Sequence, residues 1–378
     1  MIEKILHRTT PFIGVILFLA ALFVVHGELE SHTIAEITAA LEQLPVPVIL
    51  WAIFLTVISY LILTGYDFLA LRYLDITVKP ANVIMASLIS FSISNNTGQA
   101  LISGSSMRYR FYSLWGLTGM DIMKFSLFIS LMYGLGAMTL FSISTVVSTQ
   151  FMDASFPVAQ PVQWLARGAV AALVAYWSII LLRKKPFTIR GMTLSLPGPG
   201  LSLAQTAVAM TDLVLSSLVL YLFLHVHIGL SFHTFLAIYI AAQILGLFSQ
   251  IPGGLGVFEG TFLFLLGGSV PASSVFAALL MFRVVYYFIP LLLSGAVLLV
   301  YELFQHRLPV EKNARAVFGY LAHVVPHVFS ILLVLSGGLL LISGSLPMDH
   351  KGLKWLHGLL PLSVVEASHL IGSIVGLL

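Results

Sequence analysis

The chain has 378 residues, of which 59% are hydrophobic and only 9% charged, with a formal net charge of +3; an ordinary soluble domain carries about 25% charged residues. So little charge cannot cover so much apolar surface in water, which excludes a cytosolic enzyme, a nucleic-acid reader and a disordered tail and leaves lipid as the solvent. The absence of cysteine removes disulfides, thiolate catalysis and Cys-based metal or iron–sulfur sites.

A helix needs about 20 apolar residues to cross roughly 30 Å of hydrocarbon. The basic N-terminus, MIEKILHRTT, precedes an apolar run with no small-x-small cleavage site before His26, which predicts a retained span over 11–30 rather than a removed signal peptide. Residues 33–43 read as a short amphipathic surface helix. A span over 46–71 follows, then an apolar piece at 82–100 interrupted by Ser94-Asn95-Asn96-Thr97-Gly98. Spans are next predicted over 119–147, 162–182, 203–224 and 234–250. A second interruption, Ser249-Gln250-Ile251-Pro252-Gly253-Gly254-Leu255-Gly256, leads into a short apolar piece at 256–268. The last predicted spans cover 272–303, 317–344 and 359–378. The fold class is therefore all-α: a polytopic integral membrane protein of about nine spans plus two re-entrant or broken helices, with a weak suggestion of an inverted repeat. The chain stops at Ile374-Val375-Gly376-Leu377-Leu378, inside an apolar helix with no polar anchor. Residues 1–316 are read as one domain, and 317–378 as the start of a further helix group that the natural protein is expected to continue.

Charge fixes the expected sidedness. Lys4, Arg8, Arg72, Lys79, Arg108, Arg110, Lys124, Arg183, Lys184, Lys185, Arg190, Arg307, Lys312 and Arg315 are 14 of the 18 basic residues, and all fall in one alternating set of loops. The opposite loops hold Glu28, Glu30, Glu36, Glu42, Asp153 and Asp349. The positive-inside rule places the first set, and the N-terminus, in the cytoplasm. The alternation closes if 82–118 leaves and returns on the cytoplasmic side.

Ionisable groups at membrane depth are costly and need a partner or a water-filled cavity. Asp212 and Arg283 both fall near mid-depth. Gln205, Ala209, Asp212 and Ser216 form one small and polar stripe, and Tyr287, Pro290 and Ser294 continue the face of Arg283. The two are expected to face one internal cavity and to pair; the alternative is an ion pair that only fixes helix register. Asn95, Asn96 and Gln250 sit in the interruptions, where Pro and paired Gly free backbone groups that hydrocarbon cannot satisfy. Glu259 follows the second interruption, and Arg108 with Arg110 the first. A helix N-terminus with Arg suits an anionic headgroup; the alternative for the Arg pair is an ordinary loop anchor. Asp67 follows Tyr66, and Glu366 with His369 lies in the final helix.

Enzyme signatures are missing. Tyr66-Asp67 has no partner Gly-x-Gly-Asp of the intramembrane aspartyl proteases, and no rhomboid-type Gly-x-Ser-Gly, His-Glu-x-x-His or Walker A sequence occurs. His323 and His327 have i, i+4 spacing, but Pro326 intervenes and no carboxylate accompanies them. No cofactor or metal is expected. The sequon Asn95-Asn96-Thr97 is read as buried or cytoplasmic and so unglycosylated.

Five stretches carry a resemblance: Ser90–Tyr112, Ala204–Leu224 around Asp212, FSQIPGGLGVFE at Phe248–Glu259, FRVVYYFIP at Phe282–Pro290, and Leu360–Gly372. The chain resembles the membrane part of the bacterial multiple peptide resistance factors, the aminoacyl-phosphatidylglycerol synthase/flippases. The same core also occurs in a wider group of uncharacterised membrane proteins. The resemblance implies a multi-pass protein of the bacterial cytoplasmic membrane that flips lysyl- or alanyl-phosphatidylglycerol to the outer leaflet and so gives resistance to cationic antimicrobial peptides. It implies phosphatidylglycerol and its aminoacyl ester as partners and a cytoplasmic synthase domain in the same chain. The sequence given carries no such soluble domain, so synthase activity is not expected of it. On this resemblance Arg283, Arg108 and Arg110 would attend the phosphate and Asp212 or Glu259 the amine, with Asn95, Asn96, Gln250, Tyr287, Asp67 and Glu366 along the path. Apolar outer faces permit a homodimer. A scaffold that holds phosphatidylglycerol for a synthase, a transporter of another lipid, and an intramembrane enzyme are the competing readings.

Overall fold

The computed structural model describes residues 41–42, 44–97, 100–148, 159–182, 187–189, 192–194, 196–224, 230–249, 251–266 and 270–305. Among these residues the chain is helical, apart from one small ribbon. The elements are α1 (Val46–Leu74), α2 (Pro80–Thr97), α3 (Ala100–Tyr112), α4 (Gly119–Val147), α5 (Ala159–Leu182), β1 (Phe187–Ile189), β2 (Met192–Leu194), α6 (Pro199–Leu224), α7 (Phe232–Ser249), α8 (Val257–Leu266) and α9 (Ala272–Phe282). A π-helical stretch, Arg283–Phe288, joins α9 to α10 (Ile289–Gln305). Six helical stretches are long and apolar enough to cross a membrane: α1, α4, α5, α6, α7 and Ser273–Tyr301. They match the predicted spans from 46–71 to 272–303. The predicted spans 11–30, 317–344 and 359–378, the amphipathic helix 33–43, and Glu366, His369, His323 and His327 lie outside the described residues.

The all-α expectation needs one addition. β1 and β2 pair antiparallel, Phe187 opposite Leu194 and Ile189 opposite Met192. Three-residue strands are too short for alternation to register as a pattern.

Local chemistry starts and stops the helices. Thr118 caps α4 in a capping box with Asp121: the Thr118 side chain accepts from the Asp121 N–H at 3.3 Å, and Asp121 Oδ2 accepts from the Thr118 N–H at 2.9 Å. Asp75 ends α1 in the left-handed region at φ 56°, which Asp tolerates better than most residues. Within the helices many hydroxyls bond back onto their own turn, as Thr56 to the Ala52 carbonyl at 2.8 Å and Thr139 to that of Leu135 at 2.7 Å. A hydroxyl in hydrocarbon is satisfied this way without a ligand.

Both interrupted segments prove to be helical hairpins. In the first, α2 and α3 pack against each other: Arg108 lies over the Phe91 ring at 4.5 Å, and a Cβ added at Gly104 would lie 3.1 Å from Ser94 Oγ. In the second, Phe235 meets Phe262, Tyr239 meets Phe258, and Gly246 lies beside Gly254. Residue pairs whose separation closes toward the break define antiparallel arms. Three candidate spans, α4, α5 and α6, separate the two hairpins. The order of elements recurs on either side of α5. Each half therefore reads helix, hairpin, helix: α1, α2/α3, α4 and then α6, α7/α8, α9–α10.

The leading helices of the halves, α1 and α6, pack along each other, and α6 also packs on α4. Gly136 of α4 allows the second contact: a Cβ there would fall 2.5 Å from Ala209 Cβ and 2.9 Å from the Ala209 carbonyl carbon. Backbone cannot yield as a side-chain end can. Gly136→Ala is expected to push α4 off α6 at a cost of about 1–3 kcal/mol, read as a lower melting temperature of the detergent-purified protein.

Candidate functional site

Both hairpin breaks point at one place in the bundle. The second is built from Pro252-Gly253-Gly254, with Gly253, Gly254 and Gly256 at φ 59°, 62° and 80°. Only glycine takes these angles without strain. A Cβ at Gly253 would lie 3.0 Å from Arg283 Nη1 and 3.8 Å from the backbone oxygens of Asn95 and Asn96. The tip of the second hairpin thus rests against the tip of the first. Gly253→Ala should combine left-handed strain with a collision against Arg283, lowering stability by about 1–3 kcal/mol; thermal unfolding measures it.

Arg283 holds this junction. Its Nε and Nη2 donate to Glu259 Oε1 at 2.9 and 2.6 Å, and its Nη1 donates to the Gly253 carbonyl at 2.5 Å. The guanidinium also lies over the Tyr287 ring at 4.8 Å. Glu259, in the first turn of α8, turns its other oxygen, Oε2, to the Gly256 N–H at 2.8 Å. One carboxylate therefore caps a helix start and neutralises a buried cation. Both side chains are largely buried.

The π-helical stretch sets the second half of the junction. Pro290 has no N–H, so the carbonyl four residues back, that of Tyr286, loses its α-helical donor. Tyr60 OH replaces it at 3.1 Å. The next carbonyl, that of Tyr287, accepts from Asn96 Nδ2 at 3.4 Å, while the same amide donates to the Ser92 carbonyl at 2.8 Å. Ser92 and Ser294 share a hydroxyl hydrogen bond at 2.7 Å. The backbone opened at depth is satisfied by side chains of the opposite half, as hydrocarbon demands.

The expected pairing of Asp212 with Arg283 does not form. Asp212 Oδ1 accepts from Ser59 Oγ at 3.0 Å and Oδ2 from Tyr66 OH at 3.3 Å. Similar depth on two helices says nothing about the direction each side chain takes, and Glu259 lies where the guanidinium points. Arg108, read in the sequence as a headgroup ligand or an ordinary loop anchor, is paired within the bundle. Helix α3 runs on through it, and its side chain turns inward to Asp67. Nε and Nη2 both donate to Asp67 Oδ1, at 3.1 and 2.9 Å, and Tyr112 OH donates to Oδ2 at 2.8 Å. Asp67 is fully buried. Arg110, two residues on, is exposed.

The structure thus brings Arg283, Glu259, Tyr287, Asn95 and Asn96 together at the hairpin tips. It places Asp212 one layer away, linked through Tyr286, and Asp67 with Arg108 in a separate pair. Gln250 and Glu366 lie outside the described residues. Ser59, Tyr66, Tyr112 and Tyr286 were missed; of these, only Tyr66, adjacent to Asp67, carried a signal. Among the described residues no group of three or more His, Asp and Glu is arranged to hold a metal ion.

An uncharacterized protein of Synechocystis, slr0712, is 34% identical over 310 residues, covering 81% of this chain and 95% of that protein. The inner membrane protein YbhN of Escherichia coli K12 is 32% identical over 272 residues, covering 70% of this chain and 84% of YbhN. A phosphatidylglycerol lysyltransferase of Staphylococcus aureus is 27% identical over 246 residues, which cover 62% of this chain and 27% of that protein. The family described as the lysylphosphatidylglycerol synthase transmembrane region matches residues 12–294. The chain is a multi-pass membrane protein and belongs to the lysylphosphatidylglycerol synthase transmembrane region family.

Proposed function

We propose that the protein moves an anionic phospholipid between leaflets, with aminoacylated phosphatidylglycerol the preferred substrate and the inner-to-outer direction the productive one. The observation that carries this reading is the junction of two hairpin tips on Arg283 and Glu259, deep among membrane helices. A headgroup crossing the bilayer needs polar partners at mid-depth while its acyl chains stay in hydrocarbon. Arg283 offers a fork matched to a phosphate once it releases Glu259 or Gly253. Glu259 then offers its carboxylate to the amine of an aminoacyl group. Asn95, Asn96 and Tyr287 supply neutral contacts beside them, and Arg108 with Asp67 forms a second exchangeable pair. Arg110 and Lys124 gather anionic lipid at the bundle edge, and the N-terminus faces the cytoplasm by the positive-inside rule.

A second reading, translocation of a different lipid, is favoured by one specific finding. The chain covers 95% and 84% of two relatives, neither named for aminoacyl transfer, and 27% of the lysyltransferase. Those two relatives carry little beyond the shared membrane part, so a synthase domain is not general among the chain's relatives. A test in cells separates the readings. Lysyl-phosphatidylglycerol would be supplied by a separately expressed synthase and labelled from outside with a membrane-impermeant amine reagent. Preferred transport of the aminoacyl lipid predicts labelling that depends on this protein. Equal labelling with and without it rejects that substrate.

A further inference from the structure

Two buried carboxylates, Asp67 and Asp212, and a largely buried one, Glu259, lie among the described helices, and two of the three are closed by arginine. Asp67 has Arg108 and Glu259 has Arg283. Asp212 has hydroxyls instead: Ser59 Oγ at 3.0 Å and Tyr66 OH at 3.3 Å, with Tyr286 OH 2.9 Å from the same Ser59 oxygen. Its residue is only 6% exposed. Among the described residues no Lys, Arg or His pairs with it. The titratable groups around it are Tyr60 and Tyr66 of α1, Tyr133 of α4, and Tyr286 and Tyr287 of the π-helical stretch, with Tyr239 of α7 against Ser216, one turn further along α6. Helix α9, also packed on α6, contributes none.

Partner type decides what such a carboxylate can do. Arginine only donates, so it holds its partner ionised. A hydroxyl donates to a carboxylate and accepts from a carboxylic acid, so the Ser59–Tyr66–Tyr286 set satisfies Asp212 in either protonation state. A series of polar side chains continues along the same helix face. Gln205 lies seven residues before Asp212, about 10 Å along the axis. It is fully buried, and neither of its amide atoms has a partner among the described residues. An amide offers both a donor and an acceptor to whatever passes. One turn nearer the start of α6, Ser202 accepts from Tyr176 OH at 3.0 Å, and Tyr176 is part-exposed.

We propose that Asp212 is a proton-binding site, reached along the Ser202–Gln205 face of α6, and that lipid movement is coupled to proton movement through it. The coupling rests on the lipid-translocation reading, whereas the proton site does not.

The test uses the purified chain in phosphatidylglycerol-containing vesicles loaded with pyranine. A pH gradient of one unit is imposed and the membrane potential is clamped. Protein-dependent proton uptake is expected, reduced to the level of empty vesicles by D212N. Tyr66→Phe, which keeps the carboxyl, should retain uptake with a shifted pH profile, so a misfolded D212N does not decide the matter alone. Uptake unchanged in D212N, or absent from both the wild type and Tyr66→Phe, overturns the proton site. Uptake that requires sodium and fails in choline assigns an alkali cation instead and also overturns it. In parallel, fluorescent phosphatidylglycerol should redistribute between leaflets by up to about tenfold per pH unit for one proton per lipid. Asp212-dependent uptake with a lipid ratio indifferent to the gradient overturns the coupling and leaves the site. The same uptake with no lipid movement at all overturns the translocation reading instead.

Discussion

Arg283→Ala is expected to abolish lipid movement and to destabilise the protein by about 3–5 kcal/mol, the cost of leaving a buried charge without its partner. Glu259 would keep its cap on Gly256 but lose the cation that neutralises it. The Gly253 carbonyl would lose its donor at the hairpin tip. Stability and transport fail together in this variant, so it does not separate a latch from a headgroup ligand. The double variant Arg283→Met with Glu259→Gln does. Gln retains an acceptor for the Gly256 N–H, Met fills the guanidinium's volume, and no charge is left uncompensated. Thermal unfolding should recover most of the loss, while lipid exchange stays at background. Recovery of both would reduce the pair to a structural fastening.

Arg108→Ala is the second large effect, again about 3–5 kcal/mol, because Asp67 is fully buried and would keep only the Tyr112 hydroxyl. The pair ties the second arm of the first hairpin to α1, so its loss should free that arm from the bundle. Arg108→Lys should recover only part of the stability. The native contact uses a guanidinium fork, Nε and Nη2 together, stacked on Phe91 at 4.5 Å, and an ammonium reproduces neither feature. Protection of α3 amides in hydrogen exchange measures the release directly. Protection in Arg108→Ala equal to that of the wild type would contradict the assigned role.

The helices were largely legible because apolar run length maps onto bilayer thickness: 46–71 became Val46–Leu74, and 119–147 became Gly119–Val147. The interruptions were legible for the same reason in reverse, since Pro-Gly-Gly and Asn-Asn cannot lie in hydrocarbon without a partner. What the sequence withheld was direction. Depth placed Asp212 and Arg283 together, but a side chain's bearing depends on helix rotation and on the π-helical turn at Arg283–Phe288. Pro290 hinted at that turn without fixing its register. Arg108 looked like a loop anchor because it follows a break, yet α3 continues through it and buries it. The recurrence of helix–hairpin–helix was faint in the sequence because the two halves share an order of elements and little sequence. Ser59 and Tyr286 carried no signal, because a serine or tyrosine in a membrane helix more often serves its own backbone or a neighbouring helix.

Lipid translocation through the hairpin junction is followed by quenching in reconstituted vesicles. Purified protein is reconstituted into vesicles with a trace of headgroup-intact, chain-labelled phosphatidylglycerol. An impermeant quencher added outside then reports the outer-leaflet fraction over time. Quenching is expected to pass beyond the outer-leaflet half in wild-type vesicles and to stop at that half in vesicles carrying the stable Arg283→Met/Glu259→Gln protein. Wild-type quenching that stops at the outer leaflet, with aminoacylated as with unmodified phosphatidylglycerol, would contradict translocation through the junction.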